Sequence, residues 1–294
     1  MNTLLQAIGF GVVSGSIIAV AAVGFTMQFG VTNILNLAYG DVMTAAAYVG
    51  YLVNKAGLGV GYSMLTGAAV GGLLSLALNR YLLRRYIRHG TQLFGMIIVT
   101  LSIAVIIQNI LLVSFGSSFF VYHVGISGGL SLGAMHFSGL QLVIIAIAIA
   151  TMLLVHLGLT RTRLGKCMRA TSCDAVLAQA CGILTNRVID AAWLISGMLC
   201  GLAGVVLVLN TTAFQSTTGS QFLILIVAAA MLGGVGQAHG AILAALIVGV
   251  ITSVTAAYTN PSYQDIAGFG LLVIVLLVRP TGLFGRTVGE RMTA

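Results

Sequence analysis

Charged residues are scarce in this sequence and make up only 6% of its 294 residues. Soluble domains carry about a quarter charged residues, whereas 59% of this chain is hydrophobic. Apolar runs of roughly 20 residues recur along it, the length that a helix needs to cross about 30 Å of hydrocarbon. Short alternating segments typical of a transmembrane β-barrel are lacking. The sequence therefore predicts an all-α, polytopic transmembrane protein.

Acidic residues are the rarest charged group, and none of the five is paired with another at short spacing. A two-carboxylate acid–base site is therefore not expected. The histidines and cysteines show no metal-ligand spacing, and no GxxxxGK[ST] phosphate loop occurs. We expect no catalytic residue, no metal and no cofactor in this chain, which is not predicted to be an enzyme. The five acidic residues are Asp41, Asp174, Asp190, Asp265 and Glu290.

Basic residues give the chain a net charge of +8, which could indicate nucleic-acid binding. All of them except Lys55 stand in short segments beside the ends of apolar runs. This distribution is typical of cytoplasmic loops that orient membrane helices. We therefore expect contact with lipids rather than nucleic acid, and a cytoplasmic C-terminus.

Nine apolar segments follow from this placement, and we predict a single transmembrane domain, 1–294, with eight to ten spans. The segments 31–53 and 222–236 are candidates for broken or re-entrant helices, because the first lacks a preceding loop and the second is short. Residues 116–138 and 211–221 are expected to form outer loops. Trp193 is expected at the membrane interface, which tryptophan favours.

A polar strip interrupts the second apolar segment at Asn33, Asn36, Tyr39, Gly40 and Asp41. On a continuous helix the first three side chains would share one face. Ionisable groups at membrane depth are costly and usually face a cavity or partner. One interpretation is a translocation pathway beside a broken helix. The other is that Asp41 caps a helix beginning at Val42, after a bend at Gly40.

The segment 160–187 is the longest polar interruption in the chain. Within it, DAVLAQACG (174–182) predicts a short helix with Val176, Leu177 and Ala180 along one side, ended by Gly182. Such a helix could bind a groove on a soluble partner. The alternative is a solvated loop whose basic residues only orient the protein.

Four segments of this chain resemble motifs of branched-chain amino-acid ABC transporter permeases. That family shows the pattern Arg-Ala-x-x-x-Asp-x-x-x-Ala-x-x-x-Gly-Ile, which occurs here at Arg169, Ala170, Asp174, Ala178, Gly182 and Ile183. The segments NLAYGD (36–41) and LGGVGQAHGA (232–241) also resemble family motifs, as does the ending RPTGLFGR (279–286). The resemblance extends over nearly the whole chain.

The resemblance implies that segment 172–183 is a coupling helix on which separate ATPase subunits dock. It implies two ATP-binding-cassette ATPase subunits that bind ATP and magnesium, a second homologous permease subunit, and a periplasmic or lipid-anchored substrate-binding protein. The location implied is a bacterial inner membrane.

Departures from the family pattern leave the substrate open. Leu225 stands where family members commonly carry lysine, and Asn79-Arg80 and Arg84-Arg85 stand where many of them have Glu-Arg and Arg-Pro. Permeases for urea and short-chain amides share most of these motifs. An uncoupled channel for a small neutral solute is the alternative from another functional class.

Overall fold

Long apolar helices build most of this protein. The computed structural model describes residues 2–89, 92–122, 129–132, 135–211, 213–234, 236–259, 263–278 and 282. The helices are α1 (Asn2–Thr32), α2 (Tyr39–Lys55), α3 (Val60–Ala77), α4 (Arg84–Arg88), α5 (Leu93–Phe115), α6 (Gly139–Arg161), α7 (Arg163–Cys173), α8 (Ala175–Ala180), α9 (Thr185–Thr211), α10 (Thr218–Gly233), α11 (Ala238–Tyr258) and α12 (Gln264–Val278). A π-helical turn, Leu78–Leu83, joins α3 to α4. The predicted all-α class is confirmed.

Four short strands lie between the helices, in the two segments that were expected to be loops. Strands β1 (Phe120–Val121) and β4 (Ala213–Phe214) pair antiparallel, with Phe120 opposite Phe214. Strands β2 (Gly129–Leu132) and β3 (Met135–Ser138) form a hairpin. The predicted loop 211–221 also contains the first turn of α10, so it is shorter than expected.

Among the described residues, six helical stretches are long and apolar enough to cross a membrane: Leu4–Thr32, Val60–Ile87, Phe94–Phe115, Gly139–Arg161, Thr185–Thr211 and Ala238–Tyr258. Helices α2, α10 and α12 are shorter, with 17, 16 and 15 residues. Two of these, α2 and α10, fall in the segments expected to be broken or re-entrant. The span count of eight to ten stays a prediction, since it depends on these three helices. The C-terminal motif 279–286 lies outside the described residues, apart from Gly282.

The chain divides into two compact units. Unit 1 comprises residues 1–26, 125–151 and 224–294. Within it α11 packs closely on the first part of α1, and a Cβ built on Gly249 would lie 2.3 Å from the Gly15 Cα. Small residues at such crossings allow two membrane helices to approach each other closely.

Unit 2 comprises residues 27–124 and 152–223, and α3 and α9 form its centre. The two helices are antiparallel, with Gly67 beside Gly201 and Gly71 beside Gly197. A Cβ on Gly201 would lie 2.1 Å from the Gly67 carbonyl oxygen. Helix α2 packs against both. The small residues of these helices thus serve close packing, as membrane helices require.

Trp193 lies inside the protein, and its expected position near the membrane interface stays a prediction. Its side chain is completely buried in an apolar cluster with Ile34, Leu83 and Met96. The reason is its position on the face of α9 that packs against the π-turn, where the indole fills the space between elements.

Candidate functional site

Helix α7 anchors the polar segment 160–187 to unit 2. The Thr162 hydroxyl caps it by accepting a hydrogen bond from the Gly165 N–H at 3.1 Å. Met168 is buried and packs with Met27, Val188 and Ala192. The sequence analysis missed this helix. Its signals were a threonine in a capping position and buried residues at helical spacing.

Asp174 determines where the short helix α8 begins. Its Oδ1 accepts hydrogen bonds from the backbone N–H groups of Val176, at 2.8 Å, and Leu177, at 2.9 Å. These donors would otherwise lack partners in the first turn, which is why aspartate is favoured at this position. The predicted helix within 174–182 is confirmed, with bounds Ala175–Ala180.

Gly182 ends α8, as predicted. Its φ is +85°, in the left-handed region that glycine adopts readily. The Gly182 N–H donates to the Gln179 carbonyl and the Ile183 N–H donates to the Ala178 carbonyl, both at 3.0 Å. This pair of bonds is the Schellman motif. Local hydrogen bonds therefore fix the shape of α8 at both ends.

An apolar docking surface stands on this fixed scaffold, formed by the exposed side chains of Val176, Leu177 and Leu184. They are 79%, 63% and 60% exposed, whereas Ala178 on the opposite side is buried. Five exposed basic residues lie around it in sequence: Arg161, Arg163, Lys166, Arg169 and Arg187. Among the six residues of the family motif, Asp174, Ala178, Gly182 and Ile183 build the scaffold. Arg169 is exposed and Ala170 half-buried on α7.

The polar strip lies at a break between two helices rather than on one helical face. Helix α1 ends before Asn33, whose φ of 56° turns the chain and whose side chain is exposed. Residues 33–38 are not helical, and α2 begins at Tyr39. The prediction that Asn33, Asn36 and Tyr39 share one helical face was therefore wrong, whereas the predicted break in the helix is present.

Asp41 does not cap α2, so that prediction was also wrong. The helix begins three residues earlier than a capping role would require, and the cap position is Ala38. Asp41 is 2% exposed and lies in the first turn, where the helix dipole favours a negative charge. Gly40 lies inside the helix rather than at a bend before it.

The break lies beside the middle of α9. The Tyr39 hydroxyl donates to the Ser196 carbonyl at 3.4 Å, and the Cys200 thiol donates to the Tyr39 carbonyl at 3.1 Å. Ser196 is about 16 Å along α9 from Thr185, at 1.5 Å per residue. Helix α2 thus starts well inside the length of a spanning helix.

The first turn of α10 meets α2 at the same level. The Gly219 N–H donates to the Thr44 Oγ1 at 2.9 Å, and this hydroxyl in turn donates to the Gly40 carbonyl at 3.2 Å. A Cβ on Gly219 would lie 2.0 Å from the Gly40 oxygen. Two helix N-termini therefore meet beside the middle of α9. Discontinuous helices of this kind form substrate sites in several transporter folds.

Buried polar groups surround this meeting point. The Ser196 Oγ donates to the Gln28 Oε1 at 3.1 Å, and the Ala38 N–H donates to the Asn36 Oδ1 at 3.2 Å. Gln28 Nε2, Asn36 Nδ2 and Asp41 Oδ1 have no hydrogen-bond partner among the described residues. Buried polar atoms without partners are costly, so these groups can bind a polar solute or water.

The sequence analysis missed several of these residues. Gln28 was detectable as a polar residue inside an apolar run, whereas Ser196, Cys200 and Thr44 gave no signal of their own. A small, partly open pocket lies beside the start of α10. Its lining is mainly apolar and consists of Met43, Thr44, Ala47, Gly204, Leu207, Val208, Phe214, Thr218 and Gly219.

Comparison with known proteins gives the family. Residues 7–276 match the family described as branched-chain amino acid transport system / permease component. The chain belongs to this family. The permease is 29% identical to the high-affinity branched-chain amino acid transport system permease protein LivH of Escherichia coli K12, over 98% of this chain and 97% of that protein.

Two further relatives span nearly the same length. The permease is 28% identical to the high-affinity branched-chain amino acid transport system permease protein BraD of Pseudomonas aeruginosa, over 98% of both chains. It is 24% identical to the probable branched-chain amino acid transport permease protein LivH of Methanocaldococcus jannaschii, over 93% of this chain and 90% of that protein. The resemblance expected from the four segments is confirmed, and the chain is a permease subunit of a branched-chain amino acid transport system.

Proposed function

We propose that this permease imports branched-chain or related amino acids across a bacterial inner membrane, driven by ATP hydrolysis in separate subunits that dock on segment 172–183. The observation that carries the docking assignment is the exposed apolar surface of Val176, Leu177 and Leu184. Apolar side chains of this exposure mark interaction sites. Hydrogen bonds at both ends of α8 keep the surface in one shape, which reduces the ordering cost of binding.

The proposed partners follow from this division of labour. Two ATP-binding-cassette ATPase subunits bind ATP and magnesium, so this chain holds no cofactor itself. A second homologous permease subunit completes the pathway, and a periplasmic or lipid-anchored protein delivers the substrate. The C-terminus lies in the cytoplasm, together with the docking surface. The relatives' roles in branched-chain amino acid transport support this substrate class.

The proposed pathway passes the break between α1 and α2. Polar atoms of Asn36 and Asp41 without a partner among the described residues lie there next to Tyr39, and Gly40 allows α10 to approach. Asn33 is exposed at the end of α1, where it leads into the break. A pathway for amino acids needs polar groups for the ammonium and carboxylate as well as apolar surface for the side chain, and this region supplies both.

Replacement of an apolar residue on the docking surface tests the docking assignment. Leu177→Ser should weaken association with the ATPase subunits and reduce ATP-driven leucine uptake, because a 63% exposed leucine loses its contact with the partner. The measurement is co-purification of the ATPase with the permease from membranes, followed by leucine uptake in proteoliposomes. Lys166→Ser is the control, since Lys166 is also exposed but lies outside segment 172–183.

Two outcomes would contradict the proposal. If Leu177→Ser bound the ATPase subunits and took up leucine as the wild type does, this surface would not be the docking site. Conduction of solute by the permease alone, in liposomes without ATP, would favour an uncoupled channel instead.

Replacement of Asp41 tests the pathway. Asp41→Ala should reduce uptake while the ATPase subunits still associate, because Asp41 is buried at the break and far from α8 in sequence. Uptake at the wild-type rate would make Asp41 dispensable for transport.

A further inference from the structure

Three side chains, from the π-turn, α4 and α9, meet at the end of α9 that follows Leu184 in the chain. Asp190, in the second turn of α9, accepts two hydrogen bonds on a single oxygen, Oδ1. The donors are the Arg84 Nη2 at 2.6 Å and the Asn79 Nδ2 at 2.8 Å. The same Arg84 nitrogen also donates to the carbonyl of Asn186 at 3.2 Å. We call this set of contacts the Asp190 clamp.

The π-turn explains how Asn79 and Arg84 can reach the same oxygen. Five residues of an α-helix rotate the chain by about 500°, which would place the two side chains about 140° apart around the axis. In a π-helix the hydrogen bonds join residues five apart. The Arg84 N–H donates to the Asn79 carbonyl, so these two residues are joined in this way. The turn therefore places their side chains on one side, facing Asp190.

The clamp joins two parts of the chain that differ in how they are connected to the docking surface. Leu184 lies just before α9, and Asn186 and Asp190 lie in its first two turns. The π-turn and α4 continue from α3. An apolar contact supports the same junction, since Trp193 and Leu83 are buried in one cluster. Further along, glycines hold α3 and α9 in close contact.

The contact is poorly explained as a contribution to stability alone. The Arg84 and Asp190 side chains are only 19% and 22% exposed, and for such a pair the cost of removing two charges from water largely offsets their attraction. A π-turn in a helix is often found at a functional site. The geometry and its place at the start of α9 favour a role in transport.

We propose that Asp190 is a positioning residue that couples the docking surface to the membrane helices. Through the clamp, displacement of α8 by the ATPase moves α9 and α3 together instead of bending the chain between α8 and α9. The inference rests on the proposed docking of ATPase subunits at segment 172–183. Asp190 itself contacts neither substrate nor nucleotide in this scheme.

The test measures the number of leucine molecules imported for each ATP hydrolysed. The permease is reconstituted in proteoliposomes with its ATPase subunits, its second permease and its binding protein. Asp190→Asn keeps the side-chain size and an acceptor for Asn79 but removes the charge that pairs with Arg84. We expect ATP hydrolysis to continue and leucine imported per ATP to fall about tenfold, within the range of coupling between distant sites.

Two further variants separate coupling from folding. Asp190→Glu keeps the carboxylate and should retain more of the wild-type ratio than Asp190→Asn. Arg85→Gln removes a neighbouring, exposed arginine and should leave the ratio unchanged. A clamp that only stabilised the fold would lower the yield of assembled complex in Asp190→Asn but not the ratio in the complex that forms.

The outcomes also separate this inference from the proposed function. If the Asp190→Asn complex imports as many leucine molecules per ATP as the wild type, the coupling role of the clamp is contradicted and the proposed function is left intact. If the complex with the wild-type permease hydrolyses ATP but imports no leucine, the proposed function itself is contradicted.

Discussion

Substitution of Gly182 tests the docking scaffold, because a side chain there would strain the backbone conformation without colliding with neighbouring atoms. Its φ is +85°, and no atom lies within 4 Å of a Cβ built at this position. The cost of a substitution is therefore conformational. A left-handed residue other than glycine costs about 1–2 kcal/mol, and β-branched residues are genuine outliers there. Gly182→Val should thus reduce the population of the native turn by about 5- to 30-fold.

Loss of this turn should move the docking surface. The Schellman bonds from Gly182 and Ile183 would break, and Leu184 would no longer hold its position beside α8. The measurement is the affinity of the isolated ATPase subunit for the purified permease in detergent. Gly182→Val should weaken binding about 5- to 30-fold, since only the native turn presents the surface. Gly182→Asn is the matched control, because asparagine tolerates the left-handed region. If the ATPase subunit bound the Gly182→Val and Gly182→Asn variants with equal affinity, the left-handed turn at Gly182 would not control the docking surface.

Three further substitutions test separate parts of the structure. Gly201→Ala should destabilise the fold by about 1–3 kcal/mol, because the new Cβ would lie 2.1 Å from the Gly67 carbonyl oxygen. Thermal unfolding measures this loss. Gly158→Ala is the control, since a Cβ at Gly158 meets no atom within 4 Å. Asp174→Ala should cost about 1 kcal/mol of α8 stability and speed hydrogen exchange of its amides about fivefold. Met168→Ala should cost about 2–5 kcal/mol, because Met168 is buried, and equal thermal stability would contradict its anchoring role.

The docking scaffold was predictable because its determinants are local in the sequence. Asp174 and Gly182 act on backbone groups within a few residues of themselves, so a capping residue and a stop signal suffice to define α8. Composition predicts the helical membrane class for a similar reason, since each apolar run must satisfy its own backbone hydrogen bonds in lipid.

The arrangement around Tyr39 could not be predicted in the same way. Asn33, Asn36 and Tyr39 have helical spacing, but the position of the break depends on contacts with α9 and α10 that lie more than 150 residues away. The same holds for the Asp190 clamp, whose residues are separated by 106 and 111 positions. Nor does a single sequence show the π-turn that brings Asn79 and Arg84 to one side.

These contacts suggest how unit 2 divides its mechanical work. Glycine contacts make α3 and α9 approach so closely that they have little room to slide. Helix α8 is too short to be stable alone, yet Asp174, Gly182 and the buried Ala178 give it a defined shape without burying its apolar face. A stiff pair of helices can transmit a displacement if the element that receives the force is firmly attached to the end of that pair. The chain itself attaches α8 to α9, and the Asp190 clamp joins the start of α9 to the π-turn and α4, which continue from α3.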